Sequence, residues 1–127
     1  MSDVRAGLKY HEAHDWLSID GETATTGVTD YAQGELGDIV FLELPSLGDS
    51  VTKDEPYGTI EAVKTVADLI APVLGEVVEV NATLEEDASL VNGDPYGEGW
   101  TIKFRLSDPS EADGLMDEDA YRELIES

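Results

Sequence analysis

Short runs in which apolar and polar residues alternate dominate the chain, and this pattern predicts strands. Asp15 to Ile19 and Thr23 to Val28 are β-branched and aromatic runs joined by Asp20-Gly21-Glu22, whose Asp-Gly pair signals a hairpin turn. Asp38 to Leu44 (DIVFLEL) reads as a strand buried on at least one face and closed by Pro45. Val77 to Val80 and Trp100 to Leu106 alternate more cleanly. In the second, Ile102, Phe104 and Leu106 fall on one face and Thr101, Lys103 and Arg105 on the other. Helical signals are confined to two places. Thr29 can cap a short helix from Asp30 to Glu35, with Asp30 in its first turn and Gly34 or Gly37 able to stop it. Near the C-terminus Asp117 can cap a helix with Leu115, Met116, Ala120, Leu124 and Ile125 as its apolar stripe. The expected fold is mainly β, a flattened pair of three- to four-stranded sheets with short helices near residues 29–35 and 109–126.

The segment Thr59 to Pro72 (TIEAVKTVADLIAP) is more than ten residues of strand propensity with a lysine in its middle, longer than the usual five or six. A hairpin resolves the excess length. If Ala62-Val63-Lys64-Thr65 form a type I turn, Ile60 and Val66 can face the core and Lys64 is held at a rigid, exposed tip. An ordinary solvent-facing strand lysine is the simpler alternative. A second pattern is an internal echo: Asp54-Glu55-Pro56-Tyr57-Gly58 returns as Gly93-Asp94-Pro95-Tyr96-Gly97, each copy ahead of a Thr-Ile pair. It reads either as two similar halves of a β-sandwich or as two unrelated Pro-Tyr-Gly turns.

Composition narrows the function classes. The 127 residues hold 29 Asp+Glu against 7 Lys+Arg, a formal net charge of −22, yet 41% are apolar, enough for one folded domain. So negative a surface repels phosphate backbones and anionic lipids, which excludes nucleic acid and membranes as partners. With no cysteine there is no disulfide framework, thiolate metal site or Cys nucleophile. No apolar stretch reaches spanning length, and the start MSDVRAGLKYHEAHDW has neither a signal core nor a transit pattern, so the expected location is the cytoplasm. Self-repulsion at this charge density suggests a salt-rich cytosol, hence a halophilic prokaryote; an acidic mesophilic protein is the alternative.

Four stretches in order, HEAHDW, TGVTDYAQGELGDIVFLELPSLGDSV, EPYGTIEAVKTVADLIAPVLGEVVEVN and LVNGDPYGEGWTIKFRLSDPSE, resemble the H proteins of the glycine cleavage system over nearly the whole chain. The resemblance implies a lipoyl/biotinyl-type flattened β-barrel, or barrel-sandwich hybrid, with short helices and a C-terminal helix, as a single carrier domain over residues 1–127. It implies lipoate in amide linkage to Lys64 of Glu61-Ala62-Val63-Lys64-Thr65, where Ala62 replaces a common Ser. The implied role is carriage rather than catalysis. An aminomethyl group would pass from a pyridoxal-phosphate glycine decarboxylase (P protein) to a tetrahydrofolate-dependent aminomethyltransferase (T protein), and electrons to dihydrolipoamide dehydrogenase (L protein). Glu61 is expected to help the lipoate-attaching enzyme recognise the turn. Asp15 and Asp68 match acidic positions of the family and are expected to meet a folded-back arm, protecting an aminomethyl group prone to hydrolysis. Ala13 stands where other members carry a hydroxyl.

Other chemistry has little support. In His11-Glu12-Ala13-His14-Asp15 the second His stands at i+3 rather than the i+4 of H-E-x-x-H, so no helical zinc face is built. Glu85-Glu86-Asp87 and Asp117-Glu118-Asp119 lack calcium-loop spacing. Two other functions stay open on the residues alone: a lipoyl or biotinyl carrier domain of another multienzyme complex, and an unmodified acidic interaction module. Biotin carriers usually flank the lysine with Met, whereas Val63 and Thr65 stand here.

Overall fold

The computed structural model describes residues 4–126. Nine strands form two antiparallel sheets, with short helices between and after them. The larger sheet has six strands in the order β1 (Lys9–Tyr10), β2 (Asp15–Asp20), β3 (Thr23–Val28), β9 (Ile102–Leu106), β8 (Gly75–Val80) and β5 (Ser50–Val51). The smaller has three: β4 (Ile39–Glu43), β6 (Pro56–Ala62) and β7 (Val66–Ile70). The mainly β architecture of two packed sheets agrees with expectation, while the division into six and three differs from two sheets of three to four. The two-residue strands β1 and β5 cause that difference, because they are too short to leave a periodic trace in the sequence.

Helix α1 (Asp30–Leu36) begins where expected. The Thr29 hydroxyl accepts from the Ala32 N–H, and Gly37 ends the helix at φ +84°, a conformation that favours glycine. Two helical turns that the pattern did not announce, α2 (Thr83–Glu86) and α3 (Leu90–Gly93), cover the smaller sheet through Leu84 and Val91. The C-terminal region is not one helix. A 3₁₀ segment (Pro109–Gly114) is followed by a bridge between Met116 and Tyr10, and then by α4 (Glu118–Glu126), where Asp117 accepts from the Ala120 N–H.

Three apolar clusters hold these layers. Leu17, Ala24, Val77, Ile102 and Phe104 fill the inner face of the larger sheet, and Leu42, Ile60, Leu69, Leu84 and Val91 lie over the smaller one. Val4, Tyr10, Trp16 and Tyr121 form the third, with Tyr10 and Tyr121 stacked at 4.6 Å between ring centres. Tyr57 packs against both sheets' clusters. The Thr101 hydroxyl donates to the Thr26 carbonyl, so it is the Tyr57 hydroxyl that donates to Thr101, at 2.7 Å.

Four local readings change. Thr101 is fully buried, since the hydroxyl placed on the polar face is consumed by these bonds. In α4 the buried residue is Tyr121, whereas Ala120 and Leu124 are exposed; a tyrosine was not counted as apolar, yet its ring carries the packing. The two Pro-Tyr-Gly copies adopt different structures, Pro56 to Gly58 in strand β6 and Pro95 to Gly97 in a turn, which removes the two-halves reading. Val66 is 61% exposed although Ile60 is buried. Val66 pairs with Glu61 and Ile60 with Ala67, and directly opposed residues share a face, so Ile60 and Val66 point to opposite faces.

Candidate functional site

Strands β6 and β7 form the predicted hairpin around Thr59 to Pro72, and Val63-Lys64 is its two-residue loop. The Ala62 N–H donates to the Thr65 carbonyl at 2.8 Å, closing the ladder immediately below the tip. Neither loop residue has a positive φ, so the loop needs no glycine. A tertiary bond fixes it instead: the Val63 N–H donates to the Asp38 carbonyl at 3.1 Å, tying the tip to the segment between α1 and β4. Lys64 is exposed, and its stem lies over Gly37, where a Cβ would stand 3.4 Å from Lys64 Cε and 3.9 Å from Nζ. The absence of a side chain at Gly37 therefore both ends α1 and leaves room for the lysine stem.

Next to Gly37, a cleft of about 350 Å³ opens between α1, the hairpin and the loop before β2. Tyr31, Glu35 and Leu36 supply its α1 wall, Ile60, Ala67 and Asp68 its hairpin wall, and Ala13 and His14 its end. The lining mixes apolar side chains with two carboxylates. It suits a long apolar chain with a cationic terminus, and the size is that of a small-ligand cleft.

The expected site residues occupy different environments. Asp68, paired with Thr59 on the returning strand, is exposed and lines the cleft. Asp15 is buried and absent from the cleft's lining; it accepts from the Ile70 backbone N–H and so joins β2 of the larger sheet to β7 of the hairpin. Loss of water there pushes its carboxyl well above the usual carboxylate range, and the Ile70 bond offsets part of this. Glu61 is half-buried on the outer face, in register with Phe41 on β4 and Val66 on β7, both exposed.

Three residues of the cleft region escaped the sequence reading. Glu35 and Tyr31 were seen only as part of a short helix. His14 was weighed only as a metal ligand. Its Nδ1 stands 2.8 Å from the Tyr121 hydroxyl, which is 2.7 Å from the Thr29 hydroxyl, and its ring lies 4.8 Å from that of Tyr31. His14 is held at φ +72°, a conformation uncommon for a residue with a side chain. The turn that fixes it runs from the His14 N–H to the His11 carbonyl and from the Thr29 N–H to the His14 carbonyl. His11 points elsewhere, its Nδ1 accepting from the Ala13 N–H and its Nε2 bonded to Asp54. The positive φ at His14 and its pairing with a buried hydroxyl are tertiary facts with no local signature.

Comparison with known proteins bears directly on this arrangement of hairpin lysine and cleft. A family model described as glycine cleavage H-protein matches residues 8–127. The chain belongs to the glycine cleavage H-protein family. It is 54% identical over 125 residues to the glycine cleavage system H protein of Chlorobium luteolum, a match spanning 97% of this chain and 98% of the relative. The H protein of Bacteroides thetaiotaomicron is 49% identical over 118 residues, 93% of this chain and 94% of the relative. A crystal structure of the H protein from Mycobacterium marinum superposes with a TM-score of 0.89 at 32% identity, covering 98% of this chain and all of that one. The resemblance expected from four sequence stretches thus extends to the fold of the family. Among the described residues, no helix is long and apolar enough to cross a membrane.

Proposed function

We propose that Lys64 is the lipoyl attachment site and that this chain works as one carrier domain, shuttling between the enzymes of the glycine cleavage system. The role is carriage, not catalysis, as in its family. The observation that carries the proposal is the placement of Lys64: the second residue of a two-residue loop, anchored through Val63 to Asp38, exposed, and laid over Gly37 beside a cleft. Acylation removes the lysine charge and leaves a neutral stem on a chain that carries 29 Asp and Glu. When attached, the lipoyl group supplies a two-electron disulfide couple able to take up a carbon fragment and later be reoxidised.

The chain's own residues set where the arm rests. Ile60, Leu36 and Ala67 offer it an apolar bed, and Asp68 and Glu35 offer carboxylates to the ammonium of its cargo. Asp15, buried and bonded to Ile70, holds β7 against β2 so that Asp68 keeps its position. Glu61, with Phe41 and Val66, forms the outer face that the lipoate-attaching enzyme reads. The partners are the pyridoxal-phosphate decarboxylase, the tetrahydrofolate-dependent aminomethyltransferase and dihydrolipoamide dehydrogenase, met in turn in the cytoplasm.

Intact mass and peptide mapping of protein from a cell with active lipoylation test the site. One lipoyl increment is expected, on the peptide containing Lys64. Lys64→Arg should fold, lose that increment completely and fail to restore glycine cleavage in a strain lacking its H protein. Restoration by Lys64→Arg would end the carrier reading. The charge balance further supports a salt-rich cytosol of a halophilic prokaryote: the cations of Lys103, Arg105 and Arg122 meet Glu79, Glu76, Glu118 and Asp119, leaving most carboxylates without a cation. The melting temperature should rise from low to molar salt as the screening length falls from roughly 30 Å at 0.01 M to about 3 Å at 1 M. A flat profile would reject it.

A further inference from the structure

A chain of buried hydroxyls assigns the proton on His14. The Thr29 side-chain oxygen accepts from the Ala32 N–H, and among the described residues its own proton has one acceptor within reach, the Tyr121 oxygen at 2.7 Å. Thr29 and Tyr121 are both fully buried, so water does not offer an alternative. With Thr29 donating to it, Tyr121 directs its single proton to the remaining neighbour, Nδ1 of His14, at 2.8 Å. A neutral imidazole whose Nδ1 accepts carries its hydrogen on Nε2. Among the described residues Nε2 has no protein partner, and His14 forms the end of the cleft.

We propose that His14, kept neutral with its proton on Nε2 by the relay from Ala32 through Thr29 and Tyr121, is a positioning residue of the cleft: it leaves the cleft's charge negative, so that Asp68 and Glu35 hold the cationic end of a loaded arm. This rests on the carrier reading and deepens it. A second proton on His14 must go to Nδ1, where it meets the Tyr121 hydroxyl proton. Tyr121 would have to turn toward Thr29, whose proton then loses its acceptor. Protonation therefore reverses two bonds, leaves the Thr29 proton without an acceptor and adds a positive charge facing the cargo. The titratable groups around the imidazole are Glu35 and Tyr31 from α1, Tyr121 from α4, Asp68 from β7, and His11 from its own segment. Burial lowers the His14 pKa from its ordinary value, with Glu35 opposing the shift and His11 adding to it. The relay accounts for a histidine being held at φ +72° here, because the turn brings its ring onto Tyr121.

Two readouts separate this inference from the carrier reading. Nuclear magnetic resonance of imidazole-labelled, unlipoylated protein, with His14→Gln for assignment, should show the Nε2–H tautomer at pH 8; in Tyr121→Phe the resonances should move toward a mixture of tautomers. An Nδ1–H tautomer in the wild type, or an unchanged one in Tyr121→Phe, overturns the relay. On lipoylated protein loaded with the aminomethyl group, the hydrolysis half-life should fall several-fold between pH 7.5 and 5.5, with its midpoint at the pKa that resonance gives for His14. His14→Gln should lack that step. The same step in His14→Gln, or no step in the wild type, overturns the positioning role. Failure of the carrier reading would appear earlier and separately, as no acylation at Lys64.

Discussion

Among the described residues two hairpins have two-residue loops, and they are built on different principles. In β2–β3 the loop is Gly21-Glu22, with Gly21 at φ +67°, the positive first position that a type II′ turn requires. Local backbone geometry closes this hairpin, and the sequence advertises it through Asp-Gly. In β6–β7 the loop is Val63-Lys64, with neither residue at positive φ and no glycine. Here the tertiary bond from Val63 to Asp38, the space over Gly37 and the packing of Ile60 and Leu69 do the closing. The difference shows how a long side chain comes to stand at a tight tip. When the surroundings hold the loop, its two positions are free to carry chemistry.

The comparison can be broken most severely at Gly58, which lets β6 approach β4. A Cβ there would stand 2.2 Å from the Glu43 carbonyl oxygen, a backbone atom that cannot step aside. Gly58→Ala should cost upwards of about 1–3 kcal/mol, as overpacking does, and lower lipoylation of Lys64 by splaying the smaller sheet. Chemical denaturation with a lipoylation assay checks both; wild-type stability would show that the three-stranded sheet does not hold the tip.

A paired substitution tests the loops themselves. Gly21→Ala places a side chain at positive φ in open space and should cost about 1–2 kcal/mol. Val63→Ala, at a position 76% exposed with ordinary φ, should stay within about 0.5 kcal/mol. Equal losses in thermal unfolding would remove the distinction between a locally and a tertiarily closed hairpin.

The subtlest effect concerns Asp15, which joins the frame to the carrying hairpin. Its folded pKa lies above the unfolded value, so the folded state binds the extra proton more readily. That contribution is complete below the unfolded pKa near 3.9 and is lost as pH rises through the raised folded value. Asp15→Asn keeps an oxygen for the Ile70 N–H without the titration, so its stability relative to wild type should improve from pH 4 to pH 8. His14 works in the opposite sense: its lowered pKa makes stability present above its unfolded value of about 6.5 and lost as pH falls through the folded one. The difference between wild type and Asp15→Asn cancels His14. A difference that does not vary with pH would show that Asp15 is not buried as described.

Much of the frame was legible because its signals are local. β-branched and aromatic runs located β2 and β3, alternation located β8 and β9, Thr29 announced α1, and a hairpin with Lys64 at its tip resolved the excess length of Thr59 to Pro72. Each follows from propensity, pleat or capping, in which a residue interacts with near neighbours in the chain. The errors arose where the decisive partner is distant. Thr101 is inside because of Thr26, 75 positions away, and Tyr57; Tyr121 is inside because it stacks on Tyr10 and bonds Thr29, 92 positions away.

The division holds at the site as well. By itself the sequence carried the mainly β pattern and a run long enough to fold back as a hairpin around Lys64, because strand period and loop length are properties of contiguous residues; the carrier role came from its resemblance to a family. Only the tertiary structure decided that Asp68 lines the cleft while Asp15 is buried outside its lining, and that His14 faces the same space with its proton directed by Tyr121. The physical reason is that burial and hydrogen-bond direction belong to groups brought together from separate strands and helices. A carboxylate or an imidazole has no fixed charge state or role until those neighbours set its access to water and occupy its acceptors.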